Sequence, residues 1–96
     1  MNEKQKIKLL KAKSHTIHPL VYIGQNGLTP KVLAAIEQTL VDHELVKIKL
    51  SVDRDQHPEI IEEICSQLDA ELVQYIGKVL TIYRRNPEKV IKDTSK

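Results

Sequence analysis

Residues 45–52 constrain the fold most. Val46, Ile48, Leu50 and Val52 alternate with Lys47, Lys49 and Ser51. Successive side chains of a strand point to opposite faces, so this run has one face to bury and one polar face. Lys47 and Lys49 on the polar face are free to meet solvent or a ligand. The flanking segments have helical spacing. Val32, Leu33, Ile36, Leu40 and Val41 form one stripe over 30–43, and Ile60, Ile61, Ile64, Cys65 and Leu68 form another over 58–69. Residues 3–13 read as a first helix, with Ile7, Leu10 and Leu9 on its apolar side. Residues 20–23, 72–76 and 79–83 are short β-favouring runs. The last two flank Gly77-Lys78, a two-residue loop that suggests a type II′ hairpin. The order is α-β-α-β-α-β-β. It predicts a single α/β (α+β) domain with a four-stranded mixed sheet and an antiparallel closing hairpin.

Between the first strand and the second helix lies Gly24-Gln25-Asn26-Gly27-Leu28-Thr29-Pro30. Thr29 suits the cap of a helix and Pro30 its first position. Gly24 and Gly27 are free to take positive φ, and neither carries a side chain that would keep a ligand off the backbone. Backbone N–H groups beside a helix N-terminus suit phosphate. The Lys-Ser/Thr pair of a Walker loop is absent, and so is the third glycine of a dinucleotide fingerprint. Two glycines between a strand and a helix are more often a turn than a site, and the surrounding charge is what shifts that balance.

The net charge of +2 hides an uneven distribution. Residues 1–13 carry +4, residues 84–96 carry +3, and the stretch between them carries −5. Basic ends around an acidic body suggest a polyanion gripped by one face. Lys4, Lys8 and Lys11 repeat along the first helix at spacings of four and three, and a polyanionic partner would relieve their mutual repulsion. Lys31, in the first turn of the second helix, is expected near the glycine loop. Seven acids and only Arg54 lie between residues 53 and 71, so that face should turn away from a phosphate backbone.

Other candidate chemistry is thin. His15 and His18 have His-x-x-His spacing but lack further obvious ligands, and no metal site is expected. Asp53-Arg54-Asp55 begins like a calcium loop and lacks its later ligands. Cys65, the single cysteine, sits in an apolar row and reads as a small buried residue rather than a nucleophile. It cannot form an internal disulfide, which fits a reducing, cytoplasmic setting. Glu62 and Glu63 diverge on their helix and do not form an acid–base pair. No apolar run approaches the ~18 residues of a membrane span. Residues 1–85 are expected to form the folded domain and 86–96 a mobile basic tail.

Three blocks in order resemble a known family. They are Ile23-Gly24-Gln25-Asn26-Gly27-Leu28-Thr29, then Asp42-His43-Glu44-Leu45-Val46-Lys47-Ile48-Lys49, then Gln74-Tyr75-Ile76-Gly77-Lys78 leading to Leu80 and Tyr83-Arg84. Over about residues 4–84 the chain is similar to the CRM domain in its small bacterial, YhbY-like form. The resemblance implies a fold similar to the C-terminal domain of translation initiation factor three, RNA binding, and association with precursors of the large ribosomal subunit. It places the RNA face on the Gly24/Gly27 loop and neighbouring basic residues. Members often have Lys after the first glycine; Gln25 stands there in this chain, so the loop carries less charge.

The expectation is a non-catalytic RNA-binding protein with no cofactor, small-molecule substrate or membrane contact. Gly24, Gln25, Asn26, Gly27, Thr29 and Lys31 would hold RNA, with Lys8, Lys11, Arg84 and Arg85 extending the contact. Scarce aromatics suggest recognition by shape and backbone rather than by base stacking. The alternative is a protein-interaction module whose acidic helix docks a basic ribosomal protein.

Overall fold

The computed structural model describes residues 2–86. The helices are α1 (Glu3–Ser14), α2 (Pro30–His43) and α3 (His57–Leu68). The strands are β1 (Val21–Ile23), β2 (Leu45–Leu50), β3 (Glu71–Ile76) and β4 (Val79–Tyr83). A single 3-10 turn at Arg54–Gln56 leads into α3. The four strands form one sheet in the order β1-β2-β4-β3. β1 pairs parallel to β2, and β4 pairs antiparallel to both β2 and β3. The mixed sheet and antiparallel hairpin expected from the order of elements are present.

The sheet has two differently used faces. Val21, Ile23, Val46, Ile48, Leu50, Leu80 and Ile82 point to one side and join Ile36 and Leu40 of α2 and Ile60 and Ile64 of α3 in the core. Most of these side chains are fully buried, as a core without Trp or Phe requires. α1 lies across the other face, against β2 and β3. It buries only Leu10 and Ser14. Lys6 fixes its lower end: Nζ is 3.1 Å from Glu71 Oε1 and 5.2 Å from the centre of the Tyr83 ring. The hydrogen bond to Glu71 raises the Lys6 pKa.

Local chemistry explains most boundaries. Asn2 and Gln5 exchange side-chain and backbone hydrogen bonds of 2.8 and 3.2 Å and start α1. α3 ends at Asp69, whose φ of 52° is left-handed. β2 stops at Leu50 rather than Val52. Residue 73 is a bulge, so Leu72 faces Ile82 while Gln74 faces Thr81. Gly77 has φ +59° and Lys78 keeps negative φ, as a type II′ turn needs. His57, fully buried, ties α3 to β3. Its Nε2–H donates to the Val52 carbonyl at 3.2 Å, and its Nδ1 accepts from the Tyr75 hydroxyl at 2.6 Å. This tautomer follows because a carbonyl can only accept.

Of the expected tail, only Asn86 is described, and it is held in place. Its N–H donates to Glu44 Oε2 and its side-chain amide donates to the Val41 carbonyl, both at 2.7 Å. Residues 87–96 lie outside the described residues.

Candidate nucleic-acid interface

The glycine loop closes as a tight turn. The Gly27 N–H donates to the Gly24 carbonyl at 2.9 Å, and exposed Gln25 and Asn26 form its tip. Both tip residues keep negative φ, consistent with a type I turn with glycine at its last position. The two glycines differ. Gly27 takes φ +71°, whereas Gly24 does not adopt the positive φ expected of it. A Cβ added at either position would meet nothing within 4 Å. The protein's own packing therefore does not require glycine at 24. Thr29 Oγ1 accepts the Val32 N–H at 3.2 Å, and Pro30 occupies the first turn. That leaves the Lys31 N–H at the open end of α2, where the helix dipole is positive.

Two hydrogen bonds tie the exit of β2 to the segment entering this turn and to the β3–β4 hairpin. Ser51 N–H donates to the Ile23 carbonyl at 2.8 Å, and Leu50 N–H donates to the Lys78 carbonyl at 2.7 Å. The glycine turn, the exit of β2 and the β3–β4 hairpin thus share one end of the sheet. Lys31, Lys49 and Lys78 are exposed at or beside this end. Lys78 is not among the RNA-contacting residues expected from the sequence; the pairing of the hairpin with β2 brings it to this end. Gln25 lines a hollow with Ser51, Val52, Asp53 and Gln56, which brings one carboxylate close to the turn.

The basic residues expected to surround the turn divide. Lys8 and Lys11 are exposed on α1, and Lys11 borders a groove with His15 and the edge strand β3. They lie on the sheet face that α1 covers. Arg84 and Arg85 lie at the opposite end of the sheet, which corrects the single docking surface expected of them. Arg84 N–H donates to the carbonyl of Glu44, the residue before β2, at 2.9 Å. The glycine turn adjoins the other end of β2, ~17 Å away by strand rise. The Arg84 guanidinium is already engaged: it bonds Glu37 Oε1 and Oε2 at 2.7 and 2.8 Å and the Leu68 carbonyl at 2.9 Å. Arg84 thereby clasps α2 to the end of α3, and its hydrogen bond lowers the Glu37 pKa. Arg85 is exposed at that same far end.

Cys65 is partly buried against the core, and burial pushes its thiol pKa up, which disfavours a thiolate nucleophile. Among the described residues, no group of three or more His, Cys, Asp or Glu could hold a metal ion. Among the described residues, no helix is long and apolar enough to cross a membrane.

The family model described as CRS1 / YhbY (CRM) domain matches residues 1–84. The chain belongs to the CRM family. A Pseudomonas aeruginosa protein named "Probable RNA-binding protein" is 42% identical over 89 residues, covering 92% of this chain and 85% of that one. A Haemophilus influenzae protein named "RNA-binding protein" is 42% identical over 93 residues, covering 96% and 93%. A candidate RNA-binding protein of Staphylococcus aureus, solved in solution, superposes with a TM-score of 0.76 at 30% identity, covering 90% of this chain and 91% of that one. The CRM domain thus accounts for the three-helix, four-stranded arrangement and for nearly all of the described chain.

Proposed function

We propose that this CRM-family chain is a non-catalytic RNA-binding protein that holds structured RNA at the glycine-turn end and assists large ribosomal subunit assembly. One observation carries the reading: the turn at Gly24 and Gly27 is open, with no atom beyond the adjacent residues within 4 Å of where a Cβ would sit. A ligand backbone can approach that turn, and the capped start of α2 presents partial positive charge to it. RNA phosphates match this chemistry, and the relatives' names support RNA as the partner. Gln25 and Asn26 offer side-chain donors to phosphate or base. Lys31 stands beside the turn, and Lys8 and Lys11 extend the contact along α1. Arg84 is left out because Glu37 already holds it, and Arg85 reaches only a second segment of a long RNA.

The test is binding of the full chain to ribosomal RNA hairpins across a salt series. With about six phosphates engaged, affinity falls by roughly 10³-fold between 50 and 200 mM salt. Salt-insensitive binding would overturn the phosphate contact. For the assembly role, the protein should sediment with large-subunit precursors in cell extracts. Recovery only in the ribosome-free fractions would remove that part of the proposal.

A further inference from the structure

Four residues in direct register cross the sheet beside the glycine turn. Tyr22 pairs with Lys49, Lys49 with Val79, and Val79 with Ile76. Their chain neighbours Val21, Ile23, Ile48, Leu50 and Leu80 are buried in the core, so this row points to the face that carries α1. α1 does not cover it. The helix begins over Glu71 and Tyr83, through Lys6, and ends at Ser14, beside Lys47, Gln74 and Thr81. The next row is therefore largely uncovered, with only Val79 half-buried. Tyr22 is 61% exposed and Ile76 63% exposed, and Lys49 between them is also exposed. Gln74 lines the hollow between this row and the end of α1, and its Oε1 is buried without a hydrogen-bond partner.

We infer that this row is a shelf for a short unpaired RNA segment, one or two nucleotides continuing from the strand held at the glycine turn. The inference rests on the RNA-binding reading above. The shelf spans four strands, ~14 Å across, which is too wide for one base and suits a splayed pair. Tyr22, two residues before Gly24, offers a ring face for stacking. Ile76 and Val79 offer apolar surface to a second base. Lys49 lies between them, where the linking phosphate would pass, and Lys78 flanks it. An anionic backbone bearing flat apolar rings complements this alternation of aromatic, cationic and aliphatic groups, as on other sheets that bind single strands. Rotation of the Gln74 amide would bring its unpartnered Oε1 out to accept a hydrogen bond from an exocyclic amine, favouring adenine, cytosine or guanine over uracil. An apolar protein segment would satisfy Ile76 but would leave Lys49 without a counter-charge.

The experiment compares a fully paired RNA hairpin with the same hairpin carrying a two-adenosine bulge, using the full chain. The wild type should bind the bulged RNA about tenfold more tightly. Tyr22→Ala should lose about tenfold on the bulged RNA, nothing on the paired one, and leave the salt dependence unchanged. Tyr22→Phe should restore binding, because stacking needs only the ring. Replacing the bulged adenosines by uridine should weaken wild-type binding and leave Gln74→Leu, checked for folding by circular dichroism, insensitive to the change. Equal wild-type affinity for both hairpins, or a Tyr22→Ala variant that binds the bulged RNA like wild type, would overturn the shelf while leaving salt-dependent RNA binding standing. Loss of ribosome association in Tyr22→Ala with unchanged RNA affinity would instead assign the row to a protein. Binding of neither hairpin would defeat the RNA reading and the shelf together.

Discussion

Gly24 and Gly27 look equivalent in sequence and are physically different. Gly27 sits at φ +71°, a region that costs an L-residue about 1–2 kcal/mol. Gly27→Ala should therefore lower stability by about 1 kcal/mol, read as a shift in the urea midpoint at constant slope. Gly24 has no such constraint and open space at its Cβ position. Gly24→Ala should leave stability unchanged or raise it by up to about 0.5 kcal/mol. Gly24→Asp should fold normally and lose at least about tenfold in RNA affinity. Wild-type affinity in Gly24→Asp would remove the turn from the interface. Gly27→Asp is a poorer probe, since backbone strain and lost binding would arrive together.

Glu37 and Arg84 make a second residue-level case. The hydrogen bond from Arg84 lowers the Glu37 pKa. A carboxylate with a depressed folded pKa stabilises above its unfolded value and loses that contribution as pH falls through the folded one. Glu37→Gln should cost about 0.5–1 kcal/mol at neutral pH, a modest figure because the carboxylate is 45% exposed. The difference from wild type should shrink as pH falls below the ordinary Glu value near ~4.3 and vanish below the lowered folded value. Urea melts at pH 7 and pH 3 check it; a difference as large at pH 3 as at pH 7 would contradict the sign.

Among the elements, α1 is the least secured. It buries only Leu10 and Ser14, whereas α2 and α3 each feed two isoleucine or leucine side chains into the core. Few buried contacts mean a low local opening free energy. Amide hydrogen exchange in α1 should be at least about tenfold faster than in β2 and β4, with the slowest protons in the sheet centre. Uniform protection would show that α1 is part of the cooperative core. Leu10→Ala should cost about 2 kcal/mol, because Leu10 is the helix's main apolar anchor. The helix also decides what the sheet exposes: it stops at Ser14, one row short of Tyr22 and Ile76.

At the scale of the whole molecule, charge is sorted by the ends of the sheet. Lys31, Lys49 and Lys78 gather near the glycine turn, while Arg84 and Arg85 occupy the far end. On a short RNA hairpin, Lys31→Gln and Lys78→Gln should each reduce the slope of log affinity against log salt by about one. Arg85→Gln should leave that slope unchanged on the short hairpin and reduce it on a longer RNA. An effect of Arg85→Gln equal to that of Lys31→Gln on the short hairpin would mean that both ends touch the same segment.

Much of this protein was determined by the sequence alone, wherever the deciding interaction spans a few residues. The alternation at 45–52, the helical stripes, the Thr29 cap with Pro30, the Gly77 turn and the Gly24/Gly27 loop are all of that kind, and so is the three-block CRM resemblance. Short-range preferences act whatever the rest of the chain does. The tertiary structure alone decided the bulge at Val73, the insertion of β4 between β2 and β3, the largely uncovered row from Tyr22 to Ile76, and the capture of Arg84 by Glu37, 47 residues away. Strand register is fixed by which distant segments bury their apolar faces together, and a one-residue slip reverses every side chain. For that reason the glycine turn and Arg84-Arg85, one surface in the reading of the sequence, stand at opposite ends of the sheet.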